Sequence, residues 1–161
     1  MLKKIATLVQ TRRHCVLATC GLEGESCAPH TSLMAYCAAP DCGEFWLATL
    51  TETRKWRNLA ANPRASLLLT NLPGDDRDAG GGEPALALTV AARAEPFASP
   101  ADEAEARRML LAKHPQLASF LAQEPVAVLR LKAVSFQLLS GLTDVFFAEV
   151  EKMLDAWPRR A

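Results

Sequence analysis

The sequence lacks an excess of charge of one sign, and it lacks any long apolar run. Its 161 residues include 18 Lys and Arg against 18 Asp and Glu, so the formal net charge is zero. Because a protein that binds nucleic acid normally carries a basic excess or a basic stripe, this balance argues against that partner. No uncharged apolar stretch approaches the roughly 18 residues of a membrane-spanning helix, and the N-terminus has no signal-peptide pattern. We therefore expect a cytoplasmic protein.

Sequence signatures of metal and nucleotide sites are also missing. None of the five cysteines forms a C-x-x-C pair, and no histidine pair follows at zinc-finger spacing. We expect no metal site, and we expect the cysteines to be free thiols packed in strands. Contact between Cys37 and Cys42 across the intervening turn stays open as an alternative. The glycine-rich segment 73–84 lacks the G-x-G-x-x-G and Walker patterns, so it is predicted as a flexible loop.

What is present is enough apolar sequence for a core. Hydrophobic residues make up 50% of the chain and charged residues 22%, and the length suits one domain spanning residues 1–161. Apolar periodicity predicts helices over residues 2–13, 53–61, 99–113 and 143–157, and a short helix after Pro115. It predicts six strand segments, at 15–19, 26–38, 44–50, 64–70, 85–97 and 126–139. Six strands in mostly hairpin order indicate an antiparallel barrel of the α+β class.

The strongest candidate for a binding site lies between the predicted strand 44–50 and the predicted helix 53–61. Three hydroxyl groups and two cations cluster there, from Thr49, Thr51, Thr53, Arg54 and Lys55. A helix start offers backbone N–H groups and the positive end of the helix dipole. Together with a guanidinium and an ammonium group, these donors suit a phosphate monoester. The alternative is an ordinary capped surface helix with solvated basic residues.

The same region carries a family resemblance. Residues 53–66 read Thr-Arg-Lys-x-x-Asn-Leu-x-x-Asn-Pro-Arg-Ala-Ser, and they are preceded by the strand 14–19, a Gly-x-x-Gly turn and the strand 29–36. In these pieces the sequence resembles the pyridoxamine-5′-phosphate-oxidase-like, FMN-binding split β-barrel proteins. The resemblance covers residues 1–97, with weaker agreement to about residue 140.

The resemblance implies an antiparallel six-stranded split β-barrel with flanking helices, FMN as cofactor, and a homodimer with the flavin at its interface. It implies that the FMN phosphate is held by Thr53, Arg54 and Lys55, and that Ala48 and Thr49 line the ribityl chain. It also implies that the flavin ring follows the strand residues Thr31, Ser32, Leu33 and Met34.

Three departures argue against oxidation of vitamin B6. Ser32 occupies the position of a phosphate-binding arginine of the oxidase, and Ala87 lies near the position of its glutamine. The predicted helix 143–157 replaces the C-terminal Trp and Arg-x-His elements that grip pyridoxal phosphate. The resemblance therefore implies an FMN-dependent oxidoreductase of unknown substrate, and no catalytic residue can be identified from the sequence.

Two other functions stay open. A haem-binding or haem-degrading split barrel would need an axial ligand such as His30 or His114, although His114 also suits a charged group at a helix end. A non-enzymatic flavin carrier or sensor would use the same phosphate turn without turnover. Trp56, next to Lys55, is expected either in the core or beside the flavin.

Overall fold

The computed structural model describes residues 1–23, 26–71, 85–141 and 143–153. The helices are α1 (Leu2–Thr11), α2 (Arg54–Ala61), α3 (Pro100–Lys113), α4 (Ala118–Leu121) and α5 (Val150–Met153), with a 3-10 turn at Pro115–Leu117. The strands are β1 (His14–Glu23), β2 (Ser26–Ala35), β3 (Cys37–Ala38), β4 (Glu44–Leu50), β5 (Arg64–Thr70), β6 (Leu86–Glu95), β7 (Val126–Ser140) and β8 (Asp144–Glu149). The predicted loop 73–84 lies outside the described residues.

Local signals set the ends of the longer helices. α2 begins after Thr53 and ends at Asn62, because the residue before a proline avoids the helical region. α3 begins after Ser99, whose hydroxyl accepts a hydrogen bond from the backbone N–H of Asp102 at 3.2 Å. These three boundaries agree to within one residue with those predicted from the sequence.

The strands form one antiparallel sheet in the order β2-β1-β5-β6-β7-β4-β3, with β8 paired to β7. The first half of β7 pairs with β4, and the second half pairs with β6 and β8. β2 at one edge contacts β4 near the other edge, so the sheet curls on itself. The antiparallel α+β prediction is confirmed, but the count of six is not, since eight strands occur within the described ranges. The two additional strands arise because segment 26–38 divides at Tyr36 and because β8 forms.

β8 replaces the first part of the predicted C-terminal helix, and that prediction is wrong for residues 144–149. The spacing of Phe146 and Val150 fits a helix, yet Phe146 pairs with Leu138 of β7 and packs against the core. Its neighbours Val145 and Phe147 are each 59% exposed, which is the period-two alternation of a strand. The helix starts only at Val150, and residues 154–161 lie outside the described part.

The main core fills the curled sheet. Its largest fully buried side chains come from most strands and from α1, and include Ile5, Leu17, Tyr36, Phe45, Leu47, Leu67, Leu88, Leu131 and Phe136. A second, smaller cluster packs α3 and α4 against β4 and β7. Within the described ranges, every helix is too short or too polar to traverse a bilayer. Localisation in the cytoplasm stays a prediction.

The cysteines divide into two groups. Cys15, Cys37 and Cys42 are buried free thiols, as expected. Cys20 and Cys27 instead form a disulfide across β1 and β2, with their Cα atoms 5.8 Å apart, so the expectation of free thiols is wrong for this pair. The β1–β2 register places Cys27 opposite Leu22, which makes Cys20 its diagonal neighbour. That register cannot be read from cysteine spacing alone.

Candidate functional site

The turn between β4 and α2 holds two hydroxyl groups in fixed positions. Thr53 donates its hydroxyl proton to the Leu50 carbonyl at 2.8 Å, and the hydroxyl oxygens of Thr49 and Thr53 lie 3.1 Å apart. The Thr49 hydroxyl also lies 3.4 Å from the Leu50 carbonyl, so either threonine can donate in the contact between the two hydroxyls. Thr49 is almost fully buried, with 2% exposure. These hydroxyls therefore shape the turn and present acceptor oxygens more than free donors.

The donors at this turn come from the start of α2. The Thr53 side chain accepts no hydrogen bond from the first turn of the helix, so the N–H groups of Lys55 and Trp56 lack a side-chain cap. Lys55 is half-buried beside them, and Arg54 is exposed. Uncapped N–H groups next to an ammonium and a guanidinium group can bind an anion.

Arg57, three residues after Arg54 on α2, stabilises the β4–α2 turn. Its guanidinium donates to the Glu52 carbonyl at 3.0 Å and so ties the helix to the segment before it. This role could not be predicted from the sequence, because the contact depends on the path of the turn.

α2 is anchored on β1 by a buried asparagine. Asn58, 6% exposed, donates from Nδ2 to the Thr19 hydroxyl at 3.0 Å. Gly21 leaves the room that this side chain needs, since a Cβ atom at Gly21 would lie 2.5 Å from Asn58 Oδ1. Asn58, which belongs to the segment that resembles the family, thus fixes the position of α2, and the N-terminus of α2 forms the turn.

The four predicted residues of β2 alternate between two faces. Leu33 is 71% exposed and Thr31 is also exposed, whereas Met34 is buried in the main core. Ser32 lies between them, with its hydroxyl oxygen 3.3 Å from Nε2 of His30. Only the backbone and the outward side chains of β2 are therefore available to a ligand along this strand.

The nine predicted residues fall into two groups, which we together name the seam: residues 31–34 on β2, and Ala48, Thr49 and residues 53–55 at the β4–α2 turn. Ala48, Thr49 and the α2 start lie on its β4 side, and residues 31–34 lie on its β2 side. β2 contacts β4, and α2 contacts both β1 and β2. Among the nine residues, a side-chain hydrogen bond joins Thr49 and Thr53. A shared ligand site for the two groups stays a prediction.

A cavity of about 590 Å³ lies on another side of α2, and none of the nine predicted residues lines it. Its wall comprises Trp56, Leu59 and Ala60 of α2, residues 94–100, Glu103, and residues 127–130 of β7. Trp56 therefore meets both the core and a cavity. Arg130 in this wall donates to both Glu44 carboxylate oxygens and to the Pro96 carbonyl, and its hydrogen bond lowers the pKa of Glu44.

His114 is not the helix-end cation that the sequence suggested. It is fully buried, and burial lowers its pKa, so the ring is neutral near pH 7. Its Nε2 donates to the Tyr36 carbonyl at 2.8 Å, and its Nδ1 lies 3.5 Å from the Gln116 amide nitrogen. Both ring nitrogens are thus engaged, which removes His114 as a ready haem ligand. Of the two histidines considered for that role, only the half-buried His30 is left.

Solved structures share this fold at low identity. A haem-binding protein from Mycobacterium smegmatis matches with a TM-score of 0.77 and 21% identity, over 96% of this chain and 60% of its own length. A FAD-binding protein from Mesorhizobium loti matches with a TM-score of 0.65 and 13% identity, over 87% and 94%. General Stress Protein 26 from Bacillus anthracis matches with a TM-score of 0.64 and 16% identity, over 92% and 97%. Identities this low show the fold alone.

Comparison of sequences, unlike comparison of folds, identifies the family of this chain. A comparison with curated protein sequences gives no match. The family model described as pyridoxamine 5'-phosphate oxidase, however, matches residues 1–139, a range that contains the seam, α2, strands β1 to β6 and all of β7 except its last residue. On that match, the chain belongs to the pyridoxamine 5'-phosphate oxidase family.

Proposed function

We propose that the protein binds FMN at the seam and acts as an FMN-dependent oxidoreductase. The observation that carries this proposal is the start of α2, where first-turn N–H groups without a side-chain cap adjoin Lys55 and Arg54. A phosphate monoester supplies acceptor oxygens for the first-turn N–H groups, which lack a side-chain cap. Bound FMN would supply the redox chemistry, and the protein would supply binding and orientation.

Each side of the seam has its own role in this proposal. Lys55 and Arg54 bind the phosphate, and the contact between Thr49 and Thr53 holds the turn in shape. The β2 backbone at residues 31–34 lies along the flavin ring. Family membership supports this arrangement, as does the FAD-binding protein from Mesorhizobium loti with the same fold.

A homodimer would cover the outward face of the sheet beside the seam. The registers place Leu33, Val16 and Leu68 side by side across β2, β1 and β5, and the same row continues through β6 and β7 to Phe147 of β8. Leu33, Leu68 and Phe147 are 71%, 39% and 59% exposed. Large exposed apolar side chains in one row mark an interface. Because Leu33 belongs to the predicted flavin strand, a second subunit on this row would also enclose the cofactor.

Titration of the apoprotein with FMN and with riboflavin tests the phosphate assignment. FMN should bind much more tightly, because the donors at the α2 start address the phosphate alone. Lys55→Ala should weaken FMN binding by about 1.5–3 kcal/mol, or roughly tenfold to 150-fold, as for a hydrogen bond to a charged group. Arg54→Ala should act similarly.

Arg64→Ala is the matched control, since Arg64 is an exposed cation on β5 outside the turn. It should leave FMN affinity unchanged. Arg57→Ala should have an intermediate effect, because it loosens the turn through Glu52 without touching the phosphate. Equal affinity for FMN and riboflavin, or equal losses in all four variants, would refute a specific phosphate site.

Haem binding is the second candidate function, favoured by the haem-binding protein from Mycobacterium smegmatis. His30 would then be the axial ligand, since both nitrogens of His114 are engaged. The visible spectrum of the purified protein distinguishes the two: flavin gives two bands and haem gives one intense band. Steady-state oxidation of NADH or NADPH then separates an enzyme from a flavin carrier.

A further inference from the structure

The cavity of about 590 Å³ beside α2, which we name the Trp56 cavity, has the size and the wall of a small-molecule site. Such sites usually measure about 300–1,000 Å³ and combine a mostly apolar wall with a few placed polar groups. Trp56 of α2 and Phe97 before α3 both line the cavity, and both aromatic side chains are only half-buried. The wall therefore offers aromatic surface that a planar apolar molecule can cover.

The guanidinium group of Arg130 is the polar group placed at this wall. Its Nη1 donates to the carbonyl of Pro96, another wall residue, at 2.9 Å, and its Nε and Nη2 donate to Glu44. A guanidinium group has five N–H donors, so two of them have no acceptor among the residues that the structure describes. The Arg130 side chain is 18% exposed, which leaves these donors accessible, and the three existing hydrogen bonds hold the group in place before a ligand binds.

The charged groups of the wall already have partners of opposite charge. The charge of Arg130 is offset by the carboxylate that it binds. Glu95 lies 4.0 Å from Lys132, and Glu103 lies 3.9 Å from Arg107, and neither of these two cations lines the cavity. A charged ligand would lose hydration here without gaining an unpaired counter-charge. The wall therefore suits a neutral ligand.

We propose that the Trp56 cavity binds a neutral aromatic molecule that carries a carbonyl group. The rings pack against Trp56 and Phe97, and the carbonyl oxygen accepts the N–H groups that Arg130 has left. A hydrocarbon of the same shape fills the same space but leaves those donors without an acceptor. The site is separate from the proposed FMN site, since none of the nine predicted flavin residues lines the cavity.

Equilibrium dialysis of the full chain against two matched probes tests the proposal. Benzophenone and diphenylmethane have the same two rings, and only benzophenone has a carbonyl group. Benzophenone should bind at one saturable site and about tenfold more tightly than diphenylmethane, as for a hydrogen bond from a charged donor. Saturating FMN should leave this affinity unchanged. Equal affinities for the two probes, no saturable binding of benzophenone, or competition by FMN would overturn the proposal of a separate carbonyl site.

Arg130→Lys assigns the preference to the guanidinium group. A lysine keeps the positive charge beside Glu44 but lacks the fixed planar set of donors, so most of the preference for benzophenone should disappear. Arg108→Lys is the matched control, because Arg108 is likewise paired with a carboxylate, that of Glu105, and does not line the cavity. It should leave the tenfold preference intact. A preference that survives Arg130→Lys would exclude Arg130 as the donor.

Photolabelling needs no variant and locates the site even if Arg130→Lys does not fold. Irradiated benzophenone forms a bond from its carbonyl carbon to a nearby C–H group, and peptide mass spectrometry then identifies the labelled segment. The label should fall within the wall segments 56–60, 94–100 and 127–130. Labelling confined to other segments would contradict the proposal. Since neither method depends on a flavin signal, a failure here is distinguishable from a failure of FMN binding at the seam.

Discussion

Replacing Gly21 with alanine tests the anchoring of α2 on β1. A Cβ atom at this position would lie 2.5 Å from Oδ1 and 3.2 Å from Cγ of Asn58. Asn58 cannot move aside without stretching its hydrogen bond to the Thr19 hydroxyl, which is 3.0 Å long in the buried interior. The backbone of Gly21 is not left-handed, so the clash is the only strain that alanine introduces.

The expected magnitudes follow from these contacts. Gly21→Ala should lower the free energy of unfolding by about 1–3 kcal/mol, the usual cost of overpacking. Asn58→Ala should cost a similar 1–3 kcal/mol, since it removes the hydrogen bond and leaves the Thr19 hydroxyl oxygen without that donor. In the Asn58→Ala background the obstacle is gone, so Gly21→Ala should be neutral or stabilising by about 0.4–1 kcal/mol.

Urea denaturation of the four proteins of this double-mutant cycle measures the coupling. We expect a coupling of about 1–4 kcal/mol, with thermal midpoints that move about 2–4 °C per kcal/mol. Residues that do not touch give additive effects within about 0.5 kcal/mol. Additivity here would show that Gly21 and Asn58 are not in contact, and would refute the described position of α2.

Three further perturbations have defined outcomes. Hydrogen bonds from Arg130 lower the pKa of Glu44 in the folded protein. Ionised Glu44 therefore stabilises the fold at pH values above the pKa of the unfolded chain, about 4.3, and this stabilisation is lost as the pH falls through the folded pKa. Glu44→Gln should therefore show a shallower loss of stability than the unmodified protein between pH 5 and pH 3 in denaturant titrations. Phe147→Glu should raise the dissociation constant of the proposed dimer about 100-fold or more, because it buries an unpaired charge, and sedimentation that still shows a dimer would exclude this face. Reduction of the Cys20–Cys27 disulfide should cost about 2.5 kcal/mol and lower the thermal midpoint by about 5–10 °C, whereas a Cys20→Ser, Cys27→Ser variant should not respond to reductant.

The features that the sequence predicted correctly depend on neighbours along the chain. Thr53 precedes α2 and Asn62-Pro63 ends it, and both are signals within one helical turn of the boundary they set. For the same reason the sequence predicted that hydroxyl groups cluster at the β4–α2 turn, whereas the hydrogen bond between Thr49 and Thr53 is seen only in the structure.

The features that the sequence did not predict depend on register between distant strands. β8 forms because it can pair with the edge of β7. The helical spacing of the apolar residues in β8 gives no information about that pairing. The disulfide of Cys20 and the bond from Asn58 to Thr19 likewise require the positions of β1 relative to β2 and α2. The neutral state of His114 follows from its burial against Tyr36, a residue far away in the sequence.

The shared role of β7 has a consequence for the order of folding. β4 and β6 both pair with this one strand, and β4 precedes it by about 80 residues, so the sheet is rich in contacts between distant parts of the chain. Such contacts slow folding, since a long loop must close before the pairing compensates for its entropy. During synthesis β4 and β6 emerge before β7, and until β7 follows, each lacks one of its two pairing strands, since only β3 and β5 are available to them. The nascent chain therefore carries open strand edges of the kind that promote aggregation, and completion of β7 removes them together.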